Sequence, residues 1–298
     1  MASRDSLRAA VLAWYGSEAP VYPWRRTEGD PYAVWMSEVM LQQTQAARVV
    51  EAFPRFLAAF PTVEALARSS RAKVLRAWAG LGYHRRAVAL HETAGIVMRE
   101  HGGRIPSEPS ILLTLPGVGP YTAAAVASIA YRVPVAAVDT NVHKVMARVD
   151  HGVERDQLSL ADATVSAERW LFAARPGDWN QALMNLGHDV CRTSPRCGVC
   201  PLAPGCRFRR RGAAGRPSGH RKPAFAGSTR QLRGAVVAAL RTHDRMTLAA
   251  LARHTGREVD AVSGAVAGLE RDGIVAATPA ARAGRPRGTV RLPPEPAT

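Results

Sequence analysis

The cysteines constrain the fold of this chain more than any other feature, because all of them lie close together. Cys191, Cys197, Cys200 and Cys206 fall within 16 residues, in the spacing C-x5-C-x2-C-x5-C. In a reducing compartment, a cluster of this density is typical of a metal or iron–sulfur site rather than of two disulfides. Four thiolates can hold a [4Fe–4S] cluster, and the same ligands can hold zinc. The sequence therefore predicts a metal-binding loop at residues 191–206.

The part of the chain before residue 210 is predicted to be all-α. Apolar residues recur there at helical spacing, and glycines and prolines separate the segments. The predicted helical segments are 6–15, 37–47, 49–60, 62–69, 73–78 and 85–101. This part of the sequence has no runs of alternating apolar and polar residues bounded by tight hairpin turns, which argues against a substantial sheet there.

Neither a signal peptide nor a membrane span is predicted. Asp5 and Arg8 interrupt any early apolar core, and Arg132 and Pro134 break the most apolar stretch, residues 122–138. We therefore expect a cytoplasmic protein with no membrane partner.

The charge of the chain is positive and unevenly distributed. A formal net charge of +16 favours a polyanionic partner such as nucleic acid. Because 37 of the 40 basic residues are arginine, a high-arginine genome is an alternative cause. Residues 1–206 carry 22 basic and 18 acidic residues, whereas residues 207–298 carry 18 basic and 6 acidic residues. The last third therefore carries most of the positive field.

Beyond the cysteines the sequence pattern changes. Residues 212–227 are rich in Gly, Pro, Arg and Ser, which is typical of a linker. Three short helices are predicted next, followed by two strands around a basic turn; the helices are 231–241, 247–254 and 258–271, and the strands 274–277 and 289–292. This order is that of a winged-helix module, in which one helix usually enters the major groove. A small helical appendage for protein contacts is the alternative.

A turn with the sequence LPGVGPYT, residues 115–122, precedes a predicted helix. Pro116 fixes its own φ, and the two glycines allow a tight turn with bare backbone. Backbone N–H groups of such a turn and of the following helix start can bind a phosphate oxygen without reading a base. Leu115, Gly117, Val118 and Gly119 are therefore candidate DNA phosphate-binding residues.

This turn resembles the helix-hairpin-helix element of the endonuclease III superfamily of DNA glycosylases. The segment VDTNV, residues 138–142, strengthens the resemblance, because Asp139 falls where that superfamily keeps an essential aspartate. A helix N-cap is the structural alternative for Asp139. The spacing of 20 residues from Gly119 favours the catalytic role.

The resemblance implies an endonuclease III-like fold with defined domain boundaries. The expected parts are an iron–sulfur domain of residues 1–26 and 136–211, a six-helix barrel domain of 27–135, a basic linker of 212–229 and a winged-helix-like domain of 230–298. It also implies a structural [4Fe–4S] cluster on the four cysteines, which positions a basic loop against DNA. The superfamily usually has six residues in the first cysteine gap, whereas this chain has five.

Two positions indicate the branch of the superfamily. Members that also cut the DNA strand carry a nucleophilic lysine two residues after the second hairpin glycine, where this chain has Tyr121. Without that amine we expect a monofunctional glycosylase with little or no lyase activity. The run WMSEVMLQQTQ, residues 35–45, resembles the catalytic helix of MutY-type adenine DNA glycosylases, as do the residues at 22–25, 30–32, 81–83 and 180–184. The resemblance extends from about residue 10 to 206.

The resemblance assigns roles in the removal of adenine mispaired with 8-oxoguanine or guanine. Glu38, a lone carboxyl among apolar and amide neighbours, is expected to be neutral and to protonate adenine at N7. A solvated helix face is the ordinary alternative for such a glutamate. Asp139 is expected to stay ionised and to stabilise the cationic sugar, with Tyr121 and Asn141 orienting that aspartate and shielding the site.

Adenine must leave the base stack before it reacts. By resemblance, Gln43 and Tyr83, with Leu81 beside them, fill or wedge the vacated duplex. Ordinary turn packing is the alternative for Leu81 and Tyr83. The residues expected to line the base pocket are Trp24, Arg25, Leu41 and Gln181. The expected partner is double-stranded DNA that contains mismatched adenine.

The sequence also departs from the family. MutY-type enzymes commonly end in a Nudix-like domain that recognises 8-oxoguanine, and the residues after the linker resemble no such domain. The family usually has glycine at Thr140 and tyrosine at His84. Two other functions stay open, a glycosylase of the same fold for T or U opposite G, and a non-catalytic DNA-binding regulator. The retention of Glu38 and Asp139 argues against the regulator.

Overall fold

The computed structural model describes residues 3–18, 20–27, 29–212, 215 and 225–293. These residues are mostly helical, and their strands are two or three residues long, so the predicted all-α class is confirmed. The chain divides into two compact units. The first consists of Met1–Glu38 and Pro106–Arg221, and the second of Val39–Ile105 and Lys222–Thr298.

The helices, in chain order, are α1 Arg4–Glu18, α2 Pro31–Leu41, α3 Ala46–Ala59, α4 Val63–Ala67, α5 Arg71–Ala77, α6 Arg85–Glu100, α7 Pro109–Leu112, α8 Pro120–Tyr131, α9 Thr140–Met146, α10 Leu160–Trp170, α11 Pro176–Asn185, α12 Arg207–Arg210, α13 Thr229–Thr242, α14 Leu248–Thr255, α15 Val259–Arg271 and α16 Pro279–Arg282. The strands are β1 Met246–Thr247, β2 Ala276–Ala277 and β3 Thr289–Arg291.

Helix α11 is central to the first unit, because it packs against α1, α8 and α9. Its Trp179 is fully buried in an apolar core that includes Met146 and Leu186. Small residues let α11 approach α8 closely, since a Cβ on Gly177 would lie 2.9 Å from the Cα of Ile129. Burial of each large apolar side chain here contributes roughly 1.5–3 kcal/mol to stability.

The second unit contains an aromatic core formed by its N-terminal helices. Phe56 of α3 packs edge-on against Trp78, with ring centroids 5.6 Å apart. Side-chain caps define two of the helix starts: Thr62 accepts a hydrogen bond from Ala65, and Ser70 accepts one from Lys73. Such caps contribute roughly 1 kcal/mol each to the stability of the fold, and they determine the residues at which α4 and α5 begin.

The C-terminal part of the second unit, residues 229–293, is here called the C-terminal module. Its helices α13, α14 and α15 and its strands β2 and β3 follow one another along the chain in the expected order, and the winged-helix assignment stays a prediction. The short strand β1 and helix α16 were not predicted. The strand order is β1-β3-β2, with Met246 opposite Val290 and Ala277 also opposite Val290.

The two compact units divide the chain at other points than the predicted domain boundaries do. The C-terminal module belongs to the same unit as residues 39–105, and the helix-hairpin-helix turn belongs to the other unit. Most of the predicted basic linker lies outside the described residues. Within the part of the chain that the structure describes, no helix is long and apolar enough to cross a membrane.

The half-buried guanidinium of Arg86 organises two turns of the second unit. Arg86 donates hydrogen bonds to the carbonyl oxygens of Met40 and Gln42, at 2.8 and 2.5 Å, and to that of Leu81 at 3.1 Å. It also donates to the hydroxyl of Thr44 at 2.8 Å. The carbonyls at the end of α2 have no partner within the helix, so Arg86 supplies the donors that this end lacks.

We predict that Arg86→Met lowers the free energy of unfolding by about 3 kcal/mol, because several buried carbonyl groups lose their only charged donor. The measurement is urea unfolding at pH 7, followed by circular dichroism. Arg85→Met is the matched control, since this neighbouring side chain is 78% exposed and its ion pair with Asp272 spans 3.6 Å. The control is expected to change stability by less than about 0.5 kcal/mol. Equal losses in the two variants would contradict the role of Arg86.

Candidate active site

Glu38 is a buried carboxyl on helix α2, and only 5% of its surface is exposed. The hydroxyl of Tyr121, on helix α8, donates a hydrogen bond to Glu38 Oε2 at 2.7 Å. Burial raises the pKa of Glu38 to about 7, the bond from Tyr121 lowers it, and the charge of Asp139 raises it. This environment agrees with the expected neutral acid and excludes the alternative of a solvated helix face.

Asp139 is the N-cap residue of helix α9, and its carboxylate accepts three N–H bonds. Oδ1 accepts from the backbone N–H groups of Asn141 and Val142 at 2.9 and 2.7 Å. Oδ2 accepts from the side-chain amide of Asn141 at 2.9 Å. Burial raises the pKa of Asp139 above its ordinary value, whereas these bonds and the charge of Lys144 lower it. The capping role is therefore confirmed, and it fixes where the carboxylate lies.

The two carboxyls differ in the groups that hold them. Glu38 accepts one bond from a hydroxyl, whereas Asp139 accepts three from N–H donors, which favour the ionised form of a carboxyl. A proton shared between them therefore lies on Glu38 near neutral pH. A site with one neutral and one charged carboxyl can donate a proton to a leaving group and stabilise a developing cation.

Tyr121 and Asn141 orient different carboxyls. The sequence led us to expect both side chains at Asp139, but the hydroxyl of Tyr121 donates to Glu38 instead. The same hydroxyl lies 3.4 Å from the sulfur of Met184 on α11. Asn141 does bind Asp139, and it is held there by close packing, because a Cβ on Gly187 would lie 2.6 Å from the Cβ of Asn141.

Asn180 is a positioning residue to which sequence reasoning assigned no role. Its side-chain amide donates to Ser128 Oγ and to the carbonyl of Val135, each at 2.9 Å, and accepts from the N–H of Ala137 at 3.1 Å. These bonds fix the extended segment that leads into Asp139. Asn180 is the first residue of the motif at 180–184, so the sequence did mark its position. Its role became visible only in the structure, where the buried amide has three hydrogen-bond partners.

The helix-hairpin-helix turn lies between α7 and α8 in the first unit. Leu115 and Val118 are buried, and the N–H of Val118 donates to the carbonyl of Leu115 at 3.1 Å. Gly117 has φ = +75°, a conformation that glycine adopts without strain. Gly119 is exposed and is the N-cap residue of α8, and the helix begins with Pro120, which has no N–H group.

The candidate base-pocket residues of the first unit lie on two elements. Trp24 is buried and stacks on Tyr22, with ring centroids 4.6 Å apart. The guanidinium of Arg25 lies 4.8 Å from the ring centroid of Tyr15. Gln181 is buried on α11. Their joint role in holding a base stays a prediction.

The remaining candidates belong to the second unit. Gln43 and Tyr83 have φ = +55° and +44°, which are strained values for residues with side chains. Tyr83 is 43% exposed and therefore accessible, whereas Leu81 is buried, which favours ordinary turn packing for Leu81. Leu41 is the last residue of α2 and is half-buried.

The four cysteines are free thiols that line one small cavity in the first unit. Burial raises the pKa of Cys200 to about 12 and also raises that of Cys191 and Cys206. The buried guanidinium of Arg148, which sequence reasoning missed, lies 3.6 Å from Cys191 Sγ and donates to the carbonyl of Arg192 at 2.6 Å. Among the described residues, no three His, Cys, Asp or Glu side chains form a group that holds a single metal ion.

Residues 36–164 match the family described as HhH-GPD superfamily base excision DNA repair protein. The chain is 43% identical over 243 residues to a Mycobacterium tuberculosis protein named adenine DNA glycosylase. The aligned region covers 78% of this chain and 77% of that protein. The helical fold is similar to that of a thermostable thymine-DNA glycosylase, with 27% identity, a TM-score of 0.65, and coverage of 70% of this chain and 97% of the other.

A structure of endonuclease III trapped with DNA shares the fold at 22% identity, with a TM-score of 0.58 and coverage of 71% of this chain and 99% of the other. At this identity the likeness concerns the fold alone. It confirms the endonuclease III-like fold that the sequence predicted.

We predict that Tyr121→Phe raises the pKa of Glu38 above about 7, because the bond that it removes favours the carboxylate. The measurement is a carbon-13 NMR titration of side-chain carboxyls, with the Glu38 signal identified by its loss in Glu38→Gln. Tyr131→Phe, on the same helix, is the control and is expected to leave the titration unchanged. A pKa that falls in Tyr121→Phe would show that the hydroxyl does not stabilise the charged form.

Proposed function

This chain belongs to the adenine DNA glycosylase family within the HhH-GPD superfamily of base excision DNA repair proteins, and we propose that it hydrolyses the N-glycosidic bond of adenine mispaired with 8-oxoguanine or guanine. The observation that carries this proposal is the pairing of Glu38, a buried carboxyl with a pKa of about 7, with Asp139, a carboxylate held by three N–H donors. General acid catalysis and stabilisation of a sugar cation need these two states in one site.

The proposed chemistry divides between the two carboxyls. Glu38 donates its proton to N7 of adenine, so that the base departs as a neutral molecule when the bond between its N9 and the sugar C1′ breaks. The electron pair of that bond leaves with the base, and the sugar becomes oxocarbenium-like. Asp139 stabilises this cation by its charge or by a transient bond to C1′. Water then adds to C1′ and loses a proton, which returns Glu38 to its acid form.

Tyr121 supports a monofunctional reaction. A lyase step requires an amine that forms a Schiff base with the opened sugar. The side chain at this position is a phenol whose hydroxyl is engaged by Glu38 at 2.7 Å. We therefore propose that the product is an abasic site in an intact strand.

The helix-hairpin-helix turn is the proposed anchor for the DNA backbone. Gly117 and Gly119 are exposed, while the flanking Leu115 and Val118 are buried and fix the turn. Backbone N–H groups at such a helix start bind phosphate without reading sequence. Trp24, Arg25, Leu41 and Gln181 are proposed to bind the extruded adenine, while Gln43 and Tyr83 fill the space that it leaves and Leu81 packs within the turn beside Tyr83.

We propose that a [4Fe–4S] cluster is bound by Cys191, Cys197, Cys200 and Cys206. All four thiols line one cavity, and the cation of Arg148 lies against Cys191, which suits a centre that carries several thiolates. Zinc bound by the same four thiolates is the alternative. The cluster is proposed to have a structural role, with the exposed arginines of this loop contacting phosphates; these are Arg192, Arg196, Arg207, Arg209, Arg210 and Arg211.

A glycosylase for T or U opposite G is the second candidate function, because the fold is similar to that of a thymine-DNA glycosylase. We further propose that the protein acts as a monomer on chromosomal DNA in the cytoplasm. The residues LQQTQ at positions 41–45 favour adenine as the excised base.

We predict that the protein releases adenine from A:8-oxoG and A:G duplexes in single-turnover assays, with strand breaks seen only after alkali. Glu38→Gln and Asp139→Asn are expected to slow release at least about 100-fold, since one removes the proton donor and the other the stabilising charge. Glu64→Gln is the control, because this carboxyl is exposed on α4.

Duplexes with T:G and U:G are tested in parallel. Product from T:G or U:G alone would assign the second candidate function. No product from any duplex, with DNA binding retained, would indicate a non-catalytic DNA-binding protein.

We predict that the protein, purified without oxygen, contains about four iron and four sulfide ions per chain. Cys200→Ser is expected to lose most of this iron, as measured by elemental analysis. Ser194→Ala is the control, because this exposed residue lies in the same loop and is not a ligand candidate. Stoichiometric zinc without sulfide would refute the cluster.

A further inference from the structure

The outer face of the small sheet in the C-terminal module carries two facing arginines. Strands β1 and β3 pair antiparallel, with Met246 opposite Val290. By the same register Arg245, which precedes β1, lies opposite Arg291, the last residue of β3. Because Val290 is buried and successive side chains of a strand alternate between faces, Arg245 and Arg291 lie together on the solvent-facing side of the sheet.

Like charges at opposite positions of two strands destabilise a sheet. Arg245 and Arg291 are both exposed, and the residue on the other side of Arg291 is Ala276, which carries no charge. No contact among the described residues therefore accounts for a guanidinium at either position. An anion bound between the two would replace their repulsion by attraction, and phosphate suits this role because several N–H groups of a guanidinium can donate to its oxygens.

Two further arginines, Arg285 and Arg287, are exposed in the turn that leads into β3. Backbone bonds hold this turn, because the N–H groups of the first two residues of α14 donate to the carbonyls of Gly288 and Pro286, each at 2.9 Å. A Cβ on Gly288 would collide with the backbone of Ala281, so the turn also packs closely on α16. The two guanidinium groups therefore extend from a backbone that needs no ordering when a ligand binds.

Acidic side chains neutralise other arginines of the module. Arg282 pairs with Glu270, and Arg233 pairs with Asp272. Four exposed arginines differ from these, because they form no ion pair within the part of the chain that the structure describes; they are here called the arginine face and are Arg245, Arg285, Arg287 and Arg291. The charge of this face is available to a partner, and charge complementarity selects a polyanion.

The helix that would read DNA in a winged-helix module has no side chains suited to that task. The solvent-facing positions of α15 are Asp260, Ala261, Gly264 and Ala267, with Arg271 at its last position. Base edges in the major groove are read chiefly by Arg, Lys, Asn and Gln. The module is therefore equipped for contacts with phosphates, which position DNA, rather than for contacts with base edges.

We propose that the arginine face binds backbone phosphates of double-stranded DNA, independently of sequence and of the mispair. The inference rests on the proposed function, because a DNA substrate is what brings phosphates to the module. The arginine face shares no residue with the cleft that Gln43, Tyr83 and Arg230 line. It therefore gives the protein a contact with DNA that persists where no base is mispaired.

The test is the salt dependence of binding to an undamaged duplex of about 25 base pairs, measured with the full-length protein by fluorescence anisotropy. The duplex contains no mispair, so binding is measured independently of catalysis. Each phosphate contact contributes about 0.9 to the slope of log Kd against log salt concentration. The double variants Arg245→Gln/Arg291→Gln and Arg285→Gln/Arg287→Gln are each expected to lower this slope by about 1 to 2 and to weaken binding at low salt about tenfold.

Arg253→Gln/Arg257→Gln is the matched control, because it removes the same charge from exposed positions of the module at the far end of α14 from the turn. The control is expected to lower the slope by less than about 0.5. Thermal unfolding verifies that the variants keep the fold. Arg245→Gln/Arg291→Gln is expected to unfold at the wild-type temperature or above it, because it removes the repulsion between opposite positions of two strands.

Wild-type slopes in both variants of the arginine face would overturn the proposal, and an acidic protein segment would then be the better partner. An equal loss in the control variant would also overturn it, because general charge would then be the cause. Slopes that fall only in the variants of the face, in a protein that releases no adenine, would refute the proposed function and leave the DNA-binding surface. Release of adenine by a protein whose slopes do not change would refute the surface alone.

Discussion

The bonds of Arg86 are the interaction on which the candidate DNA-binding surface of the second unit depends. Its guanidinium supplies donors to the end of α2 and to the turns that carry Gln43 and Tyr83. Both residues have left-handed backbone conformations, each of which costs roughly 1–3 kcal/mol for a residue with a side chain. The strain persists because one half-buried cation fixes several carbonyls at once, so the turns are preorganised before any ligand arrives. The position of Tyr83 therefore depends on the same cation that donates hydrogen bonds to the unpaired carbonyls at the end of α2.

The candidate active site shows how one residue can serve the fold and the chemistry together. Asp139 caps helix α9, and the bonds that make it a cap are the ones that favour its charged form. Glu38 has a single hydroxyl partner and a buried position, so it keeps its proton. The separation of the two carboxyls into an acid and a charged group is thus a consequence of local structure. The acid role of Glu38 and the charged state of Asp139 both follow from hydrogen bonds to neighbouring helical residues, Tyr121 for Glu38 and Asn141 and Val142 for Asp139.

Periodicity predicted the all-α body, and the cysteine spacing predicted the metal-binding loop, because both depend on local pattern. The pair of candidate carboxyls came from the resemblance to MutY-type glycosylases. Neither pattern nor resemblance predicted Arg86, Arg148 or Asn180, since each acts through backbone groups distant in sequence. The partner of Tyr121 was also assigned wrongly, because the sequence cannot say which of two nearby carboxyls a hydroxyl reaches. A linker rich in Gly and Pro suggested a separate tail. The structure instead places the C-terminal module in one unit with residues 39–105, through contacts such as that of Arg241 with His84.

The position of the C-terminal module changes the meaning of the basic charge at the end of the chain. Residues 207–298 carry 18 basic and 6 acidic residues, which alone supports only general attraction to a polyanion. In the structure, some of these arginines are committed to the fold: Arg241 binds His84, and Arg282 pairs with Glu270. Others, such as Arg230, line a cleft beside the exposed rings of Phe225 and Tyr83. A field that arose only from arginine-rich composition has no reason to be concentrated at a cleft that borders Gln43 and Tyr83. The basic residues of the C-terminal module are thus divided among contacts within the fold, side chains that line the cleft and the arginine face.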